Sequence, residues 1–313
     1  MKIISSVFYS LLLIVMLTTA CEKKQALKSG KGFIPVNGGK VWYKIVGEGG
    51  ETPLLLLHGG PGVPSYYLNP LEALGADRPI IFFDQLGCGR SDHHADTTLM
   101  TVDHFVEQVE ELRKNLKLDE FYLYGSSWGT MLGVDYYLKY PQAIKGMILS
   151  SPCLSAELWS RDADTLITML PDSIQVAIRT NTKNGTFDSP DYLQASEVYY
   201  QNFVVRNPSA DVDSSFAGMN AALYTYMWGP SEFTATGTLK NYDQTNRLKD
   251  IAVPTLFIAG EFDEARPSTV QYYQSLVPGS RFAVMKKSGH LTMQDNPEQD
   301  IATIRNFLQE LER

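Results

Sequence analysis

Residues 120–130 read EFYLYGSSWGT, and the order of residue types in this stretch decides the fold. Phe121, Tyr122, Leu123 and Tyr124 are aromatic or apolar without helical spacing, which suits a buried strand. Met131, Leu132, Val134, Tyr137 and Leu138 then recur at three- and four-residue intervals, as on a core-facing helix. Between the two lies Gly125-Ser126-Ser127-Trp128-Gly129, a Gly-x-Ser-x-Gly pattern with Ser127 at its centre. A sharp strand-to-helix turn holds such a serine in a strained backbone conformation, and the flanking glycines keep side chains out of the way. A glycine-rich connection with incidental serines would give the same five letters, so the reading needs partners elsewhere in the chain.

Working outward, the same rhythm repeats. Phe33 to Val46 alternates and turns at Asn37-Gly38-Gly39, a hairpin signal. Leu54 to Leu57 and Ile80 to Phe83 are short continuous apolar runs that suit strands covered on both faces. The first stops at His58-Gly59-Gly60-Pro61-Gly62 and the second at Asp84-Gln85-Leu86-Gly87-Cys88-Gly89-Arg90-Ser91. Val102, Phe105, Val106, Val109, Leu112 and Leu116 mark one face of a helix that Thr101 can cap. Further strands are expected at 146–149, 254–260 and 281–285, and Ile301, Ile304, Phe307 and Leu308 mark a last amphipathic helix. Strands alternating with helices predict an α/β protein with a mostly parallel central sheet and helices on both faces. From about 156 to 245 strand rhythm disappears and aromatics accumulate, among them Trp159, Tyr192, Tyr199, Tyr200, Phe203, Tyr224, Tyr226, Trp228 and Phe233. This segment is expected to be a mainly helical lid inserted into a core made of residues 32–155 and 246–313.

The chain has 313 residues, 44% hydrophobic and 20% charged, an ordinary globular composition. Its formal net charge is −8, which argues against nucleic acid as a partner, since phosphate binding needs basic surface. Lys2, the apolar run from Leu11 to Leu17, and Thr18-Thr19-Ala20 before Cys21 form a secretory signal over residues 1–20. A cysteine directly after the small residues resembles a bacterial lipoprotein signal, with Cys21 as the lipidated first residue, although Thr18 stands where leucine is usual. The expectation is an exported chain, anchored to a bacterial membrane by lipid on Cys21, with residues 21–31 as a polar tether. Cys88 and Cys153 remain; at this size a disulfide is unnecessary, and both are expected to be free and partly buried.

In an open α/β sheet, reactive groups gather beyond the carboxyl ends of the strands. Ser127 follows one expected strand, Asp263 follows TLFIAG, and His290 follows RFAVM. A serine hydroxyl needs a base to take its proton, imidazole suits that task near neutral pH, and a carboxylate fixes the imidazole tautomer. Singly, Asp263 reads as a loop carboxylate and His290 as a capping or core histidine. Together, Ser127, Asp263 and His290 stand in the chain order of the α/β-hydrolase triad. The oxyanion formed on attack needs backbone N–H donors, assigned here to Trp128, after the nucleophile, and to Gly60 in the early glycine-rich loop. His58 is expected to organise that loop rather than act as a base. His93 and His94 read as a surface loop, and His104 as structural.

HGGPG, DQLGCGRSD, GSSWG, MWGPSEF, GEFDE and SGH, in this order, make the chain resemble the proline iminopeptidase (prolyl aminopeptidase) family of α/β-hydrolases, over nearly all of residues 31–313. The resemblance implies an α/β-hydrolase fold and a serine enzyme that removes an N-terminal residue, often proline, from peptides; some relatives accept other residues or amino-acid amides. It also implies that Glu232 and Glu264, which match the family's amine-binding glutamates, hold the free N-terminal amine of a small peptide or aminoacyl substrate. It implies no metal and no organic cofactor. Ser126 stands where the family commonly has glycine, and residues 199–206 match its pattern only loosely, which leaves proline specificity less secure than the amine requirement. The lid aromatics and Trp128 are open to two readings, as an apolar pocket or as lid core. Rival functions are an esterase, lactonase or amino-acid amidase on the same scaffold, or a catalytically silent binding protein.

Overall fold

The computed structural model describes residues 26–313, so the signal sequence and Cys21 lie outside the described residues. Eight strands form one sheet: β1 (Gly30–Val36), β2 (Gly39–Val46), β3 (Leu54–Leu57), β4 (Ile80–Phe83), β5 (Phe121–Ser126), β6 (Ile144–Ser150), β7 (Thr255–Gly260) and β8 (Arg281–Met285). Their order is β1-β2-β4-β3-β5-β6-β7-β8; the β1–β2 and β2–β4 pairs are antiparallel and all others parallel. Among the described residues ten α-helices accompany them: α1 (Val102–Asn115), α2 (Trp128–Lys139), α3 (Ala156–Ile167), α4 (Asp172–Asn184), α5 (Pro190–Phe203), α6 (Ala210–Ala217), α7 (Ala221–Met227), α8 (Pro267–Ser275), α9 (Thr292–Asp295) and α10 (Pro297–Leu311).

The continuous apolar runs are strands because both sheet faces are covered, and the two-residue period sorts them cleanly. Leu55, Leu57, Ile81, Phe83 and Leu123 join one core with Val106, Val109 and Leu112 of α1 and Met131 and Leu132 of α2. Their sequence neighbours Leu54, Leu56, Ile80, Phe82 and Tyr122 join the opposite core with Ile304, Phe307 and Leu308 of α10. A one-residue slip in any central strand would exchange the two sets. The Thr101 side chain accepts from the His104 N–H and starts α1, as its position suggested.

Between β6 and β7 the chain runs through α3 to α7. These helices enter both cores: Trp159, Tyr224 and Trp228 on one side, Leu166, Ile178, Tyr199 and Phe203 on the other. The insertion is therefore packed onto the sheet domain. One boundary differs from expectation. Leu27 and Gly49 exchange two backbone hydrogen bonds, at 3.0 and 3.1 Å, and β1 begins at Gly30, so residues 27–31 belong to the folded body rather than to a tether. Cys88 and Cys153 are both free, and both are fully rather than partly buried.

Candidate active site

Ser127 sits between β5 and α2 with φ 56° and ψ −123°, a left-handed conformation that costs a non-glycine residue on the order of 1 kcal/mol. The glycines around it are required by contact. A β-carbon on Gly129 would fall 2.1 Å from the Leu57 carbonyl oxygen, and one on Gly125 would fall 2.4 Å from the Gly129 carbonyl oxygen. The turn is closed by the Ser127 N–H donating to the Ser150 carbonyl at 3.1 Å and the Thr130 N–H donating to the Ser127 carbonyl at 2.8 Å. The Ser126 side chain is fully buried.

Asp263 and His290 emerge from the loops after β7 and β8 and meet at 2.8 Å, Oδ1 to Nδ1. Asp263 is fully satisfied. Its Oδ1 also accepts from the Ala265 N–H at 2.8 Å, and its Oδ2 accepts from the Gly260 N–H at 3.0 Å and the Ser151 hydroxyl at 2.7 Å. A carboxylate with that many donors is held in one orientation. It fixes the Nδ1–H tautomer, which leaves Nε2 as the free nitrogen. His290 Nε2 is buried without a hydrogen-bond partner among the described residues, and His290 lines one cavity with Ser127. The insertion holds the imidazole from the other side: the His290 N–H donates to the Phe203 carbonyl at 2.9 Å, and Trp159 meets the ring edge-on at 5.5 Å.

Trp128 is the first residue of α2, where backbone N–H groups lack intrahelical acceptors. Its neighbour in the cavity is Gly60, and both border Ser127. The Gly59-Gly60 loop is held by three side chains. His58 Nδ1 donates to the Gly59 carbonyl at 2.9 Å while its Nε2 accepts from the Gln85 N–H at 2.9 Å. Burial holds the His58 imidazole below its ordinary pKa, so it is a neutral brace, as its place beside the triad suggested. Gln85 in turn accepts from the Trp128 indole at 2.8 Å, and the Tyr67 hydroxyl accepts from the Gly59 N–H at 2.7 Å.

Glu264 follows Asp263 in sequence but not in environment. Its carboxylate is 1% exposed, lies 3.9 Å from His290 Nδ1, and has no hydrogen-bond partner on either oxygen among the described residues. Burial pushes its pKa well up, and the nearby Glu232 and Asp263 push it further; the Tyr199 hydroxyl works weakly in the other direction without hydrogen-bond geometry. Burial likewise raises Glu232, against the smaller effects of His290 and Tyr224. The Glu232 carbonyl accepts from two lid indoles, Trp159 at 2.8 Å and Trp228 at 3.2 Å, and its side chain borders both cavities that meet at Ser127. The two acids thus lie close together beside the triad histidine, Glu264 buried and Glu232 partly so, and the charge of Glu232 adds to the rise at Glu264.

The lid aromatics divide between the two readings. Trp159 and Trp228 line a cavity with Ser127, whereas Tyr192 and Tyr199 are buried core. His93 is exposed and His104 is buried, and among the described residues no group of three or more His, Cys, Asp or Glu is arranged to hold a metal. Three residues escaped the sequence analysis. Ser151, directly after β6, donates to Asp263 at 2.7 Å across to the neighbouring strand's loop. Tyr67 supports the glycine loop from a 3₁₀ turn that carries no motif. Asp295 accepts from the Gly289 N–H at 2.7 Å and from the Arg206 and Asn207 N–H groups at 3.0 and 2.7 Å, tying the histidine loop to the insertion.

A doubly covered parallel sheet with a nucleophile elbow after its central strand defines an α/β-hydrolase, and the alpha/beta hydrolase fold family matches residues 52–297. The chain is 46% identical over 282 residues to the proline iminopeptidase of Heyndrickxia coagulans, an alignment covering 89% of this chain and 98% of that protein. The crystal structure of the Mycobacterium smegmatis proline iminopeptidase is similar at TM-score 0.84 and 32% identity, covering 90% of this chain and 98% of the other. That of VinJ is similar at TM-score 0.87 and 31% identity, covering 90% and 99%. The chain belongs to the proline iminopeptidase family.

Proposed function

We propose that this chain is a serine aminopeptidase that releases an N-terminal residue, proline foremost, from peptides through an acyl-enzyme. Ser127 Oγ attacks the carbonyl carbon of the first residue while His290 Nε2 takes its proton. The Trp128 and Gly60 N–H groups receive the developing oxyanion; loss of one such donor typically costs about 3 kcal/mol. His290 returns the proton to the departing amine, the C–N bond breaks, and water then hydrolyses the ester on Ser127 by the same base. Asp263 orients the imidazole throughout and stabilises its cation.

The observation that carries the reading is Glu264. A carboxylate buried beside the triad histidine without one hydrogen bond is unstable by itself and is offset by a bound ammonium, with Glu232 as the second anion. This arrangement favours an enzyme that demands a free amine over an esterase or lactonase. The test is a panel of aminoacyl anilides, free and N-acetylated, with proline included. Turnover confined to free amines is expected, with the prolyl substrate fastest; equal turnover of acetylated substrates would return the site to a general esterase or amidase. Fluorophosphonate labelling that survives Ser127→Ala would remove the assigned nucleophile.

The same reading includes export and attachment to a bacterial membrane through lipid on Cys21, supported by Lys2, the apolar run Leu11–Leu17 and the small residues before Cys21. Cys21→Ala is expected to move the protein from the membrane fraction to the soluble fraction and to abolish incorporation of labelled fatty acid. Persistence in the membrane fraction with no label taken up would eliminate the anchor.

A further inference from the structure

Two cavities meet at Ser127, and they differ in what they can hold. One is bordered by Trp128, Met131, Cys153, Trp159, Trp228 and Glu232, and His290 does not line it. The other contains His290, with Val63, Val204, Val212, Phe216 and Leu291 as its walls. The imidazole must hand its proton to the departing nitrogen, so the leaving group occupies the cavity that His290 lines.

That second cavity offers little to a polar group. The Ser215 hydroxyl is committed, accepting from the Tyr67 N–H at 2.8 Å and lying 3.2 Å from the Pro64 carbonyl. The Tyr67 hydroxyl oxygen already accepts from the Gly59 N–H at 2.7 Å. Among the described residues that line it there is no lysine or arginine, and beside the histidine its ionisable side chain of opposite character is the carboxylate of Glu232. Phe216, on α6, is 43% exposed, a large apolar side chain at the rim with nothing over it.

We propose that this cavity is a leaving-group subsite for an uncharged, apolar second residue whose own carboxyl group is masked, by an amide or by a further peptide bond. The inference rests on the aminopeptidase reading and names its substrate class: peptides of three residues or more, or dipeptide amides, with a free N-terminal amine and an apolar second residue. In a free dipeptide the carboxylate stands two bonds from the scissile nitrogen. It would enter an apolar wall with no cation and face Glu232, losing hydration without a partner.

The test compares kcat/KM of the full chain on prolyl-leucinamide, prolyl-leucine, prolyl-asparaginamide and prolyl anilide. Prolyl-leucinamide is expected to exceed both prolyl-leucine and prolyl-asparaginamide by about tenfold or more, the asparagine being close to leucine in size but polar. Phe216→Arg should move the acid-to-amide ratio toward prolyl-leucine by at least about fivefold, as a cation at the rim offsets the carboxylate. Val212→Lys, deeper on the same helix, is the second variant. Equal rates for acid and amide in the unmodified protein, or an unchanged ratio in the folded variants, would overturn the subsite. Turnover of no prolyl compound at all would overturn the aminopeptidase reading instead. The panel on the unmodified protein decides the matter even if both substitutions unfold the chain.

Discussion

Asp263 and Glu264 are adjacent in sequence and equally buried, yet one carboxylate is surrounded by donors and the other has none. Asp263 accepts two backbone N–H groups, a serine hydroxyl and an imidazole, so its desolvation is offset inside the protein and its place is set before any substrate arrives. Glu264 bears the same desolvation uncompensated. A buried polar group left in that state is costly, and its persistence points to a ligand that completes it. The difference separates an acid whose partners are supplied by folding from one that, on the proposed reading, awaits the substrate amine.

The largest effect should come from the first of these. Asp263→Asn keeps the shape but lets the histidine adopt the wrong tautomer, and kcat should fall by about 10⁴-fold with KM little changed. A fall of tenfold or less, measured on a prolyl anilide, would mean that Asp263 is not the orienting group.

Glu264→Gln and Glu232→Gln should act on the other parameter. The ammonium is held in ground and transition state alike, so its loss raises KM, by about ten- to hundredfold, more than it lowers kcat. The same Glu264 change should alter stability with a definite sign. The folded-state pKa of Glu264 is raised above its usual 4.5, so the folded chain keeps a proton that the unfolded chain releases as pH rises. Stability from this group is therefore fully present below 4.5 and is lost as pH rises toward the folded value. Thermal melts across pH should show that loss in the free enzyme and a smaller loss in Glu264→Gln. A pH slope identical in both would remove the unpartnered Glu264 carboxyl from the account.

Ser151→Ala sharpens the comparison further by taking one donor from the triad acid. Asp263 would retain two backbone N–H groups, so kcat should drop only about tenfold, on the order of one hydrogen bond to a charged group. A drop as large as that of Asp263→Asn would show that the hydroxyl, rather than the backbone, holds the carboxylate.

How much of this could be read before folding follows the same division. The central strands were legible because apolar runs such as Leu54–Leu57 have both faces buried, and the elbow because Gly125 and Gly129 each lie against backbone that excludes a side chain. The triad residues could be named because strand ends converge in any parallel sheet. Ser151 was passed over because its use depends on β6 lying beside β7, a neighbour relation that no local pattern encodes. The lid aromatics stayed ambiguous because Trp159 and Tyr199 differ only in which way the inserted helices turn them. The two acids of GEFDE were told apart by chain order and by resemblance, but not by environment, since the donors that separate them come from loops up to 112 residues away.

A third buried acid tests the rule away from the reacting groups. Asp300, in the first turns of α10, accepts from the Thr292 hydroxyl at 2.9 Å on Oδ1, while Oδ2 has no partner among the described residues. Thr292 lies 3.2 Å from the Ser150 hydroxyl at the end of β6, and the neighbouring Tyr124 hydroxyl is also unpartnered. Half-satisfied, Asp300 stands between Asp263 and Glu264 in its count of donors, and burial pushes its pKa from 3.8 up to about 7. The sign repeats that of Glu264: the folded chain holds the proton longer, so its stability declines between pH 4 and 7, by an upper bound of about 4 kcal/mol across the window. Asp300→Asn carries no proton to lose. It should keep the Thr292 bond, leave kcat/KM within about twofold at pH 6, and flatten the melting-temperature profile by about one proton over that window. If the variant melts with the original slope, burial alone is not what raises these carboxyls, and the contrast between Asp263 and Glu264 would need another cause than their count of donors.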